Sequence, residues 1–205
     1  MDISCIVLSG GRGLRLGRDK NKEVVGESCL LQRVVSRLSL LECEIIIVTA
    51  SKQSPLPPMD YPRLRIIEDT YSGKGALGGI YTGLAASSSR YNLTVACDMP
   101  FLNYNLMRYI MQLSPGFDAV VPRVSDTFEP LHAVYSRDCL VPIETMFRQN
   151  KLSIYTLFNL IKVRYVGVDE IDKFDHKHWS FFNINTEDDL NMARELVKDY
   201  VITAT

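Results

Sequence analysis

The stretch Ile3-Ser4-Cys5-Ile6-Val7-Leu8-Ser9-Gly10-Gly11-Arg12-Gly13-Leu14-Arg15-Leu16-Gly17-Arg18-Asp19-Lys20 decides the reading of this chain. Its apolar run, Ile3 to Leu8, has the length and continuity of a strand buried on both faces of a parallel sheet. Four glycines then allow a tight turn and a close approach of backbone to a ligand, because they carry no Cβ. Arg12, Arg15, Arg18, Lys20 and Lys22 follow, with Asp19 the one acid among them. Exposed N–H groups on a tight turn, combined with cationic side chains, suit a polyphosphate. A solvated basic loop would need neither so many glycines nor a strand feeding straight into it. Two common phosphate loops do not fit. Gly73-Lys74 continues into Gly75 rather than Ser or Thr, and Gly11, Gly13 and Gly17 are spaced one residue too widely for a dinucleotide fingerprint.

Outward from that turn, apolar runs alternate with helical patterns. Strands are expected at Glu44–Ala50, Leu64–Ile67, Asn92–Cys97, Asp118–Pro122, Leu131–Tyr135, Val163–Val168 and Ser180–Ile184. Helices are expected at Leu30–Leu41, from Gly75 through Ala86, at Asn103–Leu113, across Leu140–Leu160 and at Glu187–Lys198, the last capped by Thr186. The four prolines between Ser51 and Pro62 mark a loop. Such alternation predicts an α/β fold: one domain over residues 1–205, doubly wound, with a mostly parallel, Rossmann-like sheet.

Composition narrows the function. The 205 residues are 46% hydrophobic and 23% charged, with a net charge of −1, which argues against a broad nucleic-acid surface. The five cysteines show no C-x-x-C spacing and sit mostly in apolar runs, so they read as reduced core residues rather than disulfides or zinc ligands. No apolar stretch approaches the roughly 18 residues of a membrane span, and Asp2 opens no signal peptide. The expected setting is cytoplasmic.

Ligands of open α/β sheets lie at the carboxyl ends of the strands, so polar residues just after strands matter most. Asp98 follows a fully apolar strand; its carboxylate suits Mg²⁺ held beside phosphate oxygens, a reading favoured over a cap or turn role before Pro100. Asp69 is open between a nucleotide contact and a turn. Asn185-Thr186 begins the last helix, whereas Asn183 is harder to explain as a cap. Glu129 is a weaker cleft candidate. His132, inside an apolar run, reads as a satisfied core histidine, and His176 and His178 have no metal-site spacing.

Leu8-Ser9-Gly10-Gly11 through Arg15-Leu16-Gly17-Arg18-Asp19-Lys20 resembles the L-x-G-G-x-x-x-R-M-G-x-D-K signature of molybdenum cofactor guanylyltransferases and related nucleotidyltransferases. The likeness continues through Ile67-Glu68-Asp69, Gly75-Ala76-Leu77-Gly78-Gly79, Cys97-Asp98-Met99-Pro100 and Phe182-Asn183-Ile184-Asn185-Thr186. It implies Mg²⁺-dependent transfer of GMP from GTP to the terminal phosphate of molybdenum-bound molybdopterin, with release of pyrophosphate. It further implies nucleotide contacts at Leu8, Ser9, Gly10, Gly11, Lys20, Asp69 and Asp98. Lys20, Arg15 and Asp98 take the catalytic roles, Asp98 holds the metal, and Asn183 and Asn185 lie on the acceptor side. Partners by the same likeness are GTP, molybdopterin or its molybdenum-bound form, and molybdenum-insertion and cofactor-accepting proteins, while the charge balance and the lack of an apolar span point to no nucleic acid and no membrane. Two departures stand out: Leu16 for the usual Met, and Thr49-Ala50-Ser51 where an Asn-containing turn is common. The rival readings are a cytidylyl- or sugar-phosphate nucleotidyltransferase, which Gly10-Gly11 disfavours, and a non-catalytic nucleotide-binding accessory protein.

Overall fold

A computed structural model describes residues 3–9, 22–50, 55–71 and 73–203. The first strand, β1 (Ile3–Ser9), is buried almost throughout and occupies the middle of the sheet. A small antiparallel pair, β2 (Val24–Val25) and β3 (Ser28–Cys29), precedes helix α1 (Leu30–Ser39). Then come β4 (Ile45–Thr49), β5 (Leu64–Glu68), α2 (Gly75–Ala86), β6 (Tyr91–Ala96), α3 (Tyr104–Gln112), β7 (Ala119–Val124), β8 (Thr127–Phe128) and β9 (His132–Ser136). The chain closes with α4 (Leu140–Arg148), α5 (Ile154–Phe158), β10 (Val163–Val166), α6 (Val168–Ile171) and α7 (Glu187–Thr203).

The strand order is β10-β7-β9-β6-β1-β4-β5, with β8 hairpinned onto β7. Pairings β1–β4, β4–β5, β1–β6 and β7–β10 are parallel, and β9 runs antiparallel to β6 and β7. The sheet is therefore mostly parallel, as the alternation required. Strand side chains alternate between two apolar layers. Cys5, Val7, Ile45 and Ile47 pack with α1 and α3 on one face, and Ile6, Ile46 and Val48 pack with α2, α4 and α5 on the other. A third cluster joins Val25, Leu30, Phe101 and Ile184 to α7.

Helix α2 lies unusually close to the centre of the sheet. A Cβ on Gly83 would sit 2.6 Å from Ile6 Cγ2, and one on Gly79 would sit 3.0 Å from Leu8 Cδ2. The glycines here serve helix–strand contact, which brings the start of α2 to the end of β1.

Three expectations need correction. Leu140–Leu160 is two helices: α4 stops at Arg148, and Asn150 takes a left-handed φ of 53° before α5 begins at Ile154. Val163–Val168 is a strand only to Val166, since Val168 opens α6 with Glu170 capping its amino end. Ser180–Ile184 is not a strand; Trp179–Phe181 forms one 3₁₀ turn and the chain then runs extended outside the sheet. The cause is Asp175, a buried carboxylate accepting the backbone N–H groups of Trp179 (3.1 Å) and Ser180 (2.7 Å), which folds the segment into a turn.

Candidate active site

Strand β1 has β4 on one side and β6 on the other, so the connection after β5 crosses over it; such a reversal leaves a crevice at the carboxyl ends of β1 and β6. Ser9 ends β1 beside Thr49 of β4 and is buried. On the other flank, the Cys97 N–H donates to the Leu8 carbonyl at 3.1 Å, carrying the β1–β6 pairing one residue past β6. Asp98 therefore emerges next to Ser9, half-buried at the lip of the crevice.

A second bond completes the cluster. The Ile184 N–H donates to the Asp98 carbonyl at 3.0 Å while the Ile184 side chain is fully buried under α7. Asn183 and Asn185 flank that bond, so both stand beside Asp98. Asn183 is not carried on a strand; the Ile184 backbone bond holds its segment beside Asp98. Asn183 Nδ2 donates to the Phe181 carbonyl (3.0 Å), which orients its side chain. The Asn185 N–H donates to Asp189 Oδ2 (2.9 Å); Asp189 also accepts from the Thr186 N–H, and its own N–H donates back to Thr186 Oγ1. That reciprocal cap fixes the start of α7.

Asp69 takes the turn role, and its second oxygen has no hydrogen-bond partner among the described residues. Its Oδ1 accepts from the Tyr71 N–H (2.9 Å) and from Thr82 Oγ1 (2.8 Å), while its own N–H donates to the Thr49 carbonyl. The turn from β5 into α2 is thus tied to both β4 and α2. Thr82 had no sequence signal, being one of two hydroxyl residues, with Tyr81, in a mostly apolar helix. Beside this corner, Thr49, Ala50, Pro57, Met59, Ile66 and Glu68 line a groove of about 530 Å³. Gly10, Gly11, Arg15 and Lys20 lie outside the described residues.

On the far flank, the antiparallel register of β6 and β9 pairs Val95 with His132, and the Ala96 N–H donates to the Leu131 carbonyl. Glu129, just ahead, is brought to the same end of the sheet as Asp98. Burial pushes its carboxyl up to about 7. His132 is fully buried: its Nδ1 faces the Ser180 carbonyl at 3.2 Å, so Nδ1 carries the proton and Nε2 is left without a partner among the described residues. Burial lowers its pKa to about 4, so the ring is neutral. It is a core histidine, as expected, though only half satisfied. Among the described residues, no three His, Cys, Asp or Glu side chains converge as a metal cage.

A family model, the MobA-like NTP transferase domain, matches residues 5–161. The chain belongs to that family. A probable molybdenum cofactor guanylyltransferase of Pelotomaculum thermopropionicum is 34% identical over 95% of this chain and 93% of its own length. The crystal structure of molybdopterin-guanine dinucleotide biosynthesis protein A from Archaeoglobus fulgidus superposes with a TM-score of 0.80 at 27% identity, covering 96% of this chain and 99% of that one. The 2-C-methyl-D-erythritol 4-phosphate cytidylyltransferase of Thermus thermophilus shares the fold at a TM-score of 0.71 and 16% identity, over 97% and 100% of the two chains.

As a MobA-like NTP transferase, the chain is a nucleotidyltransferase, and the crevice between β1 and β6 falls within the matched segment. Asn183 and Asn185 lie beyond that segment yet reach the crevice through Ile184. No helix among the described residues is long and apolar enough to cross a membrane.

Proposed function

We propose that this MobA-like protein transfers GMP from GTP to the terminal phosphate of molybdenum-bound molybdopterin, as one catalytic unit working in the cytoplasm. The observation that carries the reading is the pair of backbone bonds, Cys97 to Leu8 and Ile184 to Asp98, that gathers Ser9, Asp98, Asn183 and Asn185 at one strand end. The guanylyltransferase name of a relative matched along nearly its whole length supports the choice of nucleotide. One sheet drawing strands from Ile3 to Val166 supports a single unit.

An acceptor phosphate oxygen attacks the α-phosphorus of GTP; that P–O bond forms as the bond toward the β-phosphate breaks, and pyrophosphate leaves. The acceptor is a phosphate monoester with a second pKa of about 6, so it is already an anion at neutral pH and no general base is required. What remains is to align two phosphates and compensate their charge.

Asp98 and the carboxamide oxygens of Asn183 and Asn185 are hard oxygen donors, the set that fits Mg²⁺. A site without a protein cage also fits, because Mg²⁺ keeps waters and takes ligands from substrate phosphates. When bound, Mg²⁺ supplies positive charge across the phosphate oxygens. Asp98 anchors that end of the nucleotide, and the Leu8–Ser9 backbone approaches its phosphates. By family likeness Gly10 and Gly11 extend that backbone contact, and Arg15 and Lys20 neutralise the phosphate charge. Asp69 offers its spare oxygen to the nucleotide beside the Thr49–Ala50 groove.

The test is thermal stability of the purified protein with GTP, CTP, ATP and UTP, each with and without Mg²⁺. Selective stabilisation by GTP with Mg²⁺ is expected. Preference for CTP would replace the guanylyl reading with a cytidylyl one.

A further inference from the structure

The opposite end of the sheet carries a feature that nucleotidyl transfer does not use. Parallel pairing sets Cys5 of β1 against Ile45 of β4, with the Cys5 N–H donating to the Glu44 carbonyl at 2.8 Å. Cys43 lies just before β4 and packs against the same apolar cluster as Cys5 and Ile45. The two sulfurs lie 3.4 Å apart.

Their surroundings differ. Cys5 is fully buried, whereas Cys43 is half-buried in a bend outside any strand. With Ser4, Glu44, Arg63 and Arg65, Cys43 lines a cavity of about 600 Å³ at the amino ends of β1, β4 and β5. The Tyr61 hydroxyl donates to the Cys43 carbonyl at 2.7 Å and steadies the bend. A hydrogen bond from the Cys5 thiol lowers the pKa of Cys43, helped by the nearby Arg63 guanidinium and opposed by burial and Glu44. The same contact, followed by burial, raises Cys5. Cys43 is thus the less buried and the more readily ionised of the two, and Cys5 stands beside it as a protonated thiol. That division of labour is what a two-step oxidation needs. Burial holds Cys139 up at about 12, and Cys29 and Cys97 are also buried.

We propose that Cys5 and Cys43 form an oxidisable dithiol, converted by hydrogen peroxide to an intramolecular disulfide through a sulfenic acid on Cys43. The Cys43 thiolate attacks one peroxide oxygen, the O–O bond breaks, and the departing hydroxide takes a proton and leaves as water. The Cys5 sulfur then attacks the Cys43 sulfur, expelling hydroxide, which leaves as a second water with the Cys5 proton. Two thiols lose two electrons in total and one peroxide becomes two waters. A disulfide of about 2.05 Å requires the sulfurs to close by roughly 1.4 Å from their 3.4 Å separation. The bond would join residues 38 apart in sequence and enclose α1 together with residues 10–21.

The experiment titrates the full chain with hydrogen peroxide at neutral pH, counts free thiols after denaturation, and maps cross-links by non-reducing peptide mass spectrometry. The expected result is loss of two of the five thiols, one Cys5–Cys43 cross-linked peptide pair, recovery with dithiothreitol, and a Tm several degrees higher in the oxidised form. Cys43→Ser is expected to keep its four remaining thiols under the same dose. Cys5→Ala is expected to stop at a sulfenic acid on Cys43 that dimedone traps. Because Cys5 is in the core, the wild-type cross-link map decides the matter even if that variant misfolds. Five intact thiols, oxidation spread over other cysteines, or only intermolecular disulfides would overturn the proposal.

Discussion

In the proposed reaction Asp98 is the residue on which the chemistry turns, and its carbonyl and carboxylate have separate duties. The carbonyl accepts from Ile184 and locks the crevice, a bond that a side-chain change leaves in place. Asp98→Asn is therefore expected to lower Mg²⁺-dependent turnover by about 100-fold or more while moving Tm by no more than about 2 °C. A steady-state assay paired with a melting curve checks both halves. Two other residues give the fold a pH dependence of opposite sign. His132 protonates near 6.5 in the unfolded chain and only near 4 in the fold, so stability is lost as pH falls from 6.5 to 4, by about 3 kcal/mol from this group. Glu129 titrates near 7 in the fold and near 4.5 when unfolded, so its contribution is lost as pH rises across that span. Denaturant midpoints between pH 4 and 8 are expected to show a shallower acid-side loss in His132→Gln, and a gain in Glu129→Gln that is larger at pH 8 than at pH 5.

At the scale of elements, α2 is the part that ties the sheet to the site. Gly83 faces Ile6 in a core with no exposed surface, so Gly83→Ala must displace packed atoms. The helix-propensity gain of about 1 kcal/mol is set against overpacking of about 1–3 kcal/mol. A net loss near 1 kcal/mol, or about 2–4 °C in Tm, is expected from thermal unfolding. Gly78→Ala meets the Tyr71 carbonyl at 2.7 Å, a backbone atom in the turn that Asp69 holds. It is expected to raise the KM for GTP several-fold more than it lowers Tm-normalised turnover. The apolar runs of the sheet and the glycines of α2 were legible as elements, because burial on both faces leaves an uninterrupted pattern. The break after Arg148 was not, since Asn150 imposes its left-handed turn without a glycine or proline to announce it. Nor was the 179–185 segment: Ser180 to Ile184 is apolar enough for a strand, and only a buried carboxylate four residues before Trp179 diverts it.

Over the whole molecule, the doubly wound order was legible in the alternation of strands and helices, and the candidate site was proposed from the polar residues that end the strands. Their meeting was not legible. Asp98 and Asn183 are 85 positions apart in sequence, and only the β1–β6 register and the Ile184 bond show that they share a crevice. The Cys5–Cys43 pair was hidden for the same reason: spacing does not show that the bend before β4 lies beside β1. The two ends of the sheet thus differ, with the candidate nucleotide site at the carboxyl end and a thiol pair at the amino end. The central claim is GMP transfer, and pyrophosphate release measures it most directly. With Mg²⁺-GTP and molybdenum-bound molybdopterin, the wild-type protein is expected to release one pyrophosphate for each guanine dinucleotide formed, and Asp98→Asn to release almost none. Equal release with CTP in place of GTP, or undiminished release by Asp98→Asn, would contradict it.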